Sequence, residues 1–163
     1  MLIGVVSDTH CINKYIQLAA EKIKNADILI HLGDNSSDIE QFKKVFNGEI
    51  YVVDGNCDYR GEYPKELIID VNSKKIFLTH GDLYGVKSGL NNIFYKGKEV
   101  GADIVLYGHS HIEGIERVED ILIMNPGSTS IPKGKGHSIG FIEIDDSGNI
   151  DAKIEYLDRK SVV

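Results

Sequence analysis

Leu2-Ile3-Gly4-Val5-Val6-Ser7-Asp8-Thr9-His10 stands at the head of the chain. Residues 2–7 form a short, nearly continuous apolar run. A strand with one wet face would alternate apolar and polar residues, so this run reads as a parallel strand buried on both faces. It ends in a carboxylate and an imidazole. A helix is expected from about Asn13, where Ile16, Ala19, Ala20 and Ile23 recur at helical spacing. Residues 28–32 then read as a second strand. Ser37 and Glu40 form a capping-box pattern ahead of Ile39, Phe42 and Phe46, with Gly48 placed to end that helix. Residues 49–53 give a third strand.

The second half is richer in strands. Residues 66–71 and 75–79 are expected to pair through Asn72-Ser73. A helix over about 90–100 should stop at Gly101. Strands are expected at 103–107, 112–117, 121–125, 138–144 and 150–156, with turns at Glu119-Asp120 and Asp146-Ser147-Gly148. The expected architecture is one α/β domain over residues 1–163, with a sheet core and outer helices.

Composition narrows the function classes. At 42% hydrophobic and 26% charged residues the chain suits a globular protein. No apolar run approaches the ~18 residues that span a bilayer, and the start lacks signal-peptide character. A cytoplasmic protein without membrane partners is therefore expected. The net charge of -7, with scattered Lys and Arg, disfavours stable binding to long nucleic acid. Two cysteines, Cys11 and Cys57, are too few for a disulfide framework.

The informative residues follow predicted strands: Ser7-Asp8-Thr9-His10, Gly33-Asp34-Asn35, Gly55-Asn56-Cys57-Asp58, His80-Gly81-Asp82 and Gly108-His109-Ser110-His111. In open α/β sheets, ligands bind beyond the carboxyl ends of strands, so five distant motifs can meet at one place. Two carboxylates (Asp8, Asp34), four imidazoles (His10, His80, His109, His111) and one amide (Asn56) make a mixed oxygen and nitrogen donor set. That set suits Mn²⁺, Fe²⁺, Co²⁺ or Zn²⁺. Seven donors exceed what one ion usually needs; two ions sharing a carboxylate would use them all.

This series of motifs, from Asp8 to His111, resembles the calcineurin-like metallophosphoesterases. Asn125-Pro126-Gly127-Ser128 and Ser130-Ile131-Pro132-Lys133 are similar to the small YfcE-like phosphodiesterase branch. The resemblance implies a sandwich of two mixed β-sheets flanked by helices. It assigns Asp8, His10 and His111 to one metal ion and Asn56, His80 and His109 to a second, with Asp34 bridging. The implied cofactor is two divalent ions, Mn²⁺ by preference, with Fe²⁺, Ni²⁺, Co²⁺ or Zn²⁺ as alternatives. The implied reaction is hydrolysis of a small phosphodiester by a metal-bridging hydroxide, with Asp34, Asn56, Cys57, Asp58 and His109 at the catalytic centre. The branch often forms homo-oligomers. Many relatives carry His where Cys57 stands, and a neutral thiol is a poor proton donor near pH 7.

Two other functions stay open on the sequence. A phosphomonoesterase would have to accommodate a dianion. A protein-interaction scaffold, like the retromer subunit related to this fold, would not need the metal donors. Several residues have ordinary readings. His31 is expected to be packed and hydrogen-bonded, His137 to be a loop histidine, and Cys11 to be a small packing residue. Asp58 is expected to orient a ligand or Cys57. Gly33, Gly55, Gly81 and Gly108 are expected to permit tight turns. Tyr59, Tyr63, Tyr84 and Tyr95 are either pocket walls or core.

Overall fold

The computed structural model describes residues 1–158. In chain order the elements are β1 (Leu2–Val6), α1 (Asn13–Ile23), β2 (Ile28–His31), α2 (Ile39–Lys43), β3 (Glu49–Val52), β4 (Glu66–Val71) and β5 (Lys74–Thr79). They continue with α3 (Asn91–Val100), β6 (Ile104–Leu106), β7 (Gly114–Val118), β8 (Ile121–Asn125), β9 (Ser138–Ile144) and β10 (Ile150–Tyr156). Short 3₁₀ turns lie at Ser36–Asp38 and Asp82–Tyr84.

The strands form two five-stranded mixed sheets, ordered β10-β9-β1-β2-β3 and β4-β5-β6-β8-β7. In the first, β1, β2 and β3 run parallel, with Val6 level with His31 and His31 level with Val52. In the second, β5, β6 and β8 run parallel, with Leu78 level with Leu106 and Leu106 level with Met124. The carboxyl ends of the strands within each parallel set are therefore in register.

Period-two alternation explains the layering. Ile3, Val5, Ile28 and Ile30 from one sheet pack with Ile76, Leu78, Ile104, Leu106 and Met124 from the other. The opposite face of the first sheet, including Val6 and Leu29, is covered by Ile16, Ala19 and Ile23 of α1 and Phe42 of α2. Phe77, Val105 and Ile123 on the outer face of the second sheet are covered by Ile93 of α3. Apolar cover on both faces is why β1 and β2 read as continuous apolar runs.

Two local expectations fail around α2. The capping box from Ser37 to Glu40 does not form. Asn35 enters the left-handed region (φ 63°), the chain makes a 3₁₀ turn, and no side chain caps α2. The helix also stops at Lys43, well before Gly48. Gly48 is instead required by close approach, since a Cβ there would run into the Asp27 carbonyl and the Phe46 ring. Elsewhere the elements agree with expectation to within a residue or two. The Asn72-Ser73 turn has both φ values positive, and α3 ends at a left-handed Gly101.

Candidate metal centre

Five loops leave the parallel strands at the same end of the two sheets and bring their polar residues together. One oxygen or nitrogen from each of Asp8, His10, Asp34 and His111 lies within 4.8 Å of the others. His80 joins them: its Nε2 is 3.4 Å from Asp34 Oδ2 and 3.8 Å from Asp8 Oδ1. His109 Nδ1 is 3.2 Å from that same His80 Nε2.

The backbone at this place is unusual. Among the described residues, ten non-glycine residues have positive φ. Seven of them are Asp8, His10, Cys11, Asp34, Asn35, His109 and His111; the other three lie in hairpin turns. L-residues enter this region at a cost of about 1–3 kcal/mol each, and such residues collect at functional sites. Glycine serves the site in two ways. Gly33 and Gly81 take positive φ themselves, as tight turns require. Gly55 and Gly108 do not; there a Cβ would strike Asp34 Oδ1 and Ser7 Oγ respectively.

Hydrogen bonds fix which imidazole nitrogen is free. His111 Nδ1 is 2.7 Å from the Ile131 carbonyl, and His80 Nδ1 is 2.8 Å from the Leu32 carbonyl. A carbonyl only accepts, so each Nδ1 carries hydrogen. In the neutral ring each Nε2 is then a lone-pair donor aimed at the carboxylates, the tautomer a metal ligand needs. Asp8 Oδ1 and His10 Nε2 are buried and make no hydrogen bond among the described residues. Buried polar atoms are normally partnered, and these two are ligand atoms of the expected set. The residues present therefore fit a divalent cation.

The electrostatics agree. Burial opposes ionisation of Asp34, but the neighbouring His80 and the Cys57 N–H, which donates to Oδ1 at 2.9 Å, hold its carboxyl far below the usual range. Burial also opposes protonation of His80, but Asp34 and Asp8 raise it above its ordinary value. Asp8 raises His111 against burial. Burial and the adjacent His80 lower His109. The pocket attracts positive charge.

Residues 1–147 match the calcineurin-like phosphoesterase superfamily domain. The chain belongs to that superfamily. A probable metallophosphoesterase, YsnB of Bacillus subtilis, is 39% identical over 82% of this chain and 78% of its own. Phosphodiesterase MJ0936 of Methanocaldococcus jannaschii is 33% identical over 78% of this chain and 83% of its own. Among solved structures, a conserved Streptococcus pneumoniae protein described as a predicted phosphoesterase superposes with TM-score 0.81 at 29% identity, covering 99% of this chain and 92% of the other. Vps29 of Entamoeba histolytica, solved with Zn²⁺, has TM-score 0.77 at 20% identity over 97% and 100% of the two chains, a likeness of fold alone. The family's use of divalent metal ions accords with the donor set.

Other expected site residues are placed less centrally. Asn56 is exposed at the tip of the loop after β3, and its side chain makes no hydrogen bond to the described residues. Asp58 acts on backbone rather than on a ligand side chain or the thiol. Its Oδ2 accepts from Asp34 N and Gly55 N, both at 2.8 Å, and its Oδ1 from Ser36 N at 2.9 Å. Partial burial and the Asp34 carboxylate both push the Cys57 thiol up, so it is neutral near pH 7.

Several residues that hold this phosphoesterase centre carried no chemical signal in the sequence. Asn125 Nδ2 donates to Gly108 O (3.2 Å) and Ser110 Oγ (3.0 Å), clamping the loop that presents His109 and His111. Ser128 Oγ donates to Asp8 O at 2.8 Å and accepts from Ile131 N at 2.9 Å, tying Asp8 to the segment that orients His111. The resemblance to the Asn125-Pro126-Gly127-Ser128 motif was the available clue.

The remaining candidates lie outside the donor cluster. His31 is fully buried and hydrogen-bonded through both nitrogens. His137 stacks on Tyr15 and bonds Thr129 O. Tyr84 bonds Glu66 and meets Phe77 edge-on, while Tyr63 packs on the α1–α2 side of the core. Tyr95 is exposed, and Tyr59, also exposed, lines the cavity beside Cys57 as a pocket wall. Cys11 is an exposed free thiol rather than a packed residue, and it accepts from Asn35 Nδ2.

Proposed function

We propose that this phosphoesterase hydrolyses a small phosphodiester at a dinuclear metal centre. The observation that carries the reading is the ring of imidazoles around one buried oxygen. Nε2 atoms of His111, His80 and His10 lie 3.2, 3.8 and 3.9 Å from Asp8 Oδ1, which has no hydrogen bond among the described residues. Asp8, His10 and His111 would hold one ion, and Asn56, His80 and His109 the other, with Asp34 between them. Bound divalent ions, Mn²⁺ by family likeness, would lower the pKa of water to supply a nucleophile and would neutralise phosphoryl charge.

The chain's own residues do the rest. The carbonyls of Ile131 and Leu32 keep His111 and His80 in the ligand tautomer. The Cys57 N–H and the Asp58 carboxylate orient the side chain and backbone of Asp34. A cavity of about 310 Å³ opens beside Asn35 and Cys57, lined also by Asp54, Asp58, Arg60 and Glu62. MJ0936, a relative named a phosphodiesterase, supports a diester rather than a monoester substrate. The neutral Cys57 thiol favours leaving groups that are already stable anions.

Chelator-stripped protein assayed on bis-p-nitrophenyl and mono-p-nitrophenyl phosphate, with and without Mn²⁺, tests this. Turnover is expected only with added metal and faster on the diester. Equal activity without metal, or a preference for the monoester, defeats the reading. Tight metal binding with no turnover on any diester would favour the scaffold alternative.

A further inference from the structure

We propose that Asp38, acting with Thr9 and His31, is a positioning residue that holds the Asp8–His10 turn in its ligand-presenting conformation. The inference rests on the metal-centre reading above but concerns residues outside the donor set.

The turn after β1 is strained, with Asp8, His10 and Cys11 at φ 54°, 46° and 61°. Something outside the turn must over-determine it, because such backbone relaxes when its surroundings allow. Asp38 reaches it from the other loop. Its Oδ2 accepts from Thr9 Oγ1 at 2.6 Å and from Cys11 N at 2.9 Å, two contacts that bracket His10. Asp38 occupies the N-cap position of α2, where an aspartate usually bonds its own helix's N–H groups. Here no such bond exists. The carboxylate is buried and turned away from its helix toward the turn.

His31 completes the relay. Its Nδ1 accepts from Gly33 N at 3.0 Å, so in the neutral ring Nε2 carries the hydrogen. That Nε2 lies 3.0 Å from Thr9 Oγ1 and donates to it. The single hydroxyl hydrogen of Thr9 goes to Asp38 Oδ2 at 2.6 Å rather than to the Asn35 carbonyl at 3.4 Å. The chain of bonds runs from Gly33, next to Asp34, through His31 and Thr9, next to Asp8, to Asp38. It adds side-chain ties between the loop bearing one carboxylate ligand and the loop bearing the other, beside the direct Asp8 N–H bond to the Gly33 carbonyl at 3.0 Å.

Full-length Asp38→Ala and Thr9→Val are measured for Mn²⁺ affinity by chelator competition and for thermal stability after metal removal. Thr9→Ser serves as the rescue variant, and Asp103→Ala as a remote control that loses one backbone bond to Lys75. Both relay variants are expected to weaken Mn²⁺ binding by about 10-fold or more, the usual scale for groups that orient ligands. Thr9→Ser is expected to restore it, and Asp103→Ala to leave it unchanged. If Asp38→Ala does not fold, Thr9→Val and Thr9→Ser decide alone. Unchanged affinity in a folded Thr9→Val, or equal loss in Asp103→Ala, overturns the proposal. Wild-type protein that binds no Mn²⁺ overturns the metal reading and this inference together, whereas wild-type binding with insensitive variants overturns this inference only.

Discussion

His111 Nε2 lies 3.2 Å from Asp8 Oδ1 while its Nδ1 is fixed 2.7 Å from the Ile131 carbonyl. The ring is locked at one end and aimed at a buried carboxylate at the other. Without a metal ion, the cheapest positive charge for that pocket is a proton.

This predicts a particular pH profile for metal-stripped protein. His80 and His111 have folded values raised above 6.5. Their contribution to stability is fully present below 6.5 and is lost as pH climbs through the raised values. His31 and His109 are lowered, so they act below 6.5, where the unfolded chain takes protons that the fold refuses. The imidazole contribution should therefore peak near 6.5, and His111→Gln should flatten the alkaline limb. With Mn²⁺ present, stability should instead keep rising above 6.5, because metal must displace those protons. Thermal melts from pH 5.5 to 8.5, with chelator or Mn²⁺, decide it; identical profiles would remove the coupling.

Cys57 should alkylate more slowly with iodoacetamide at pH 7.5 than an ordinary exposed thiol, since burial and Asp34 raise it. Cys57→His should retain or raise diesterase activity by restoring a stronger proton donor. A large loss with metal content intact would give the thiol a positive role.

Asn125→Ala should cost about 1–3 kcal/mol, because the buried Gly127 N–H loses its partner while Gly108 O keeps the Ser110 N–H. The loop carrying His109 and His111 should loosen, lowering Mn²⁺ affinity as well. Denaturant unfolding and metal titration of the same preparation measure both; unaltered unfolding would show that the clamp is replaceable.

Gly97→Ala tests the seating of α3. Alanine favours a helix over glycine by about 1 kcal/mol. Yet the new Cβ would sit 2.7 Å from Val105 Cγ2, a stiff, fully buried side chain. Overpacking should win, with a net loss of about 1–2 kcal/mol. A raised melting temperature would mean the helix can shift outward freely.

The amino-acid order alone determined the two-sided burial of β1 and β2, the turn at Asn72-Ser73 and the stop at Gly101, because each depends on residues adjacent in the chain. The donor types at strand ends were equally legible, and their joint order pointed to the family. What lay beyond it was set by distance in space. Ser37 and Glu40 had the spacing of a cap, but Asn35 turned left-handed and Asp38 bonded Thr9 and Cys11 instead. The roles of His31, Asn125 and Ser128 depend on partners far along the chain. No local pattern encodes such pairs. They come into being only when the sheets pack and strained turns need outside support.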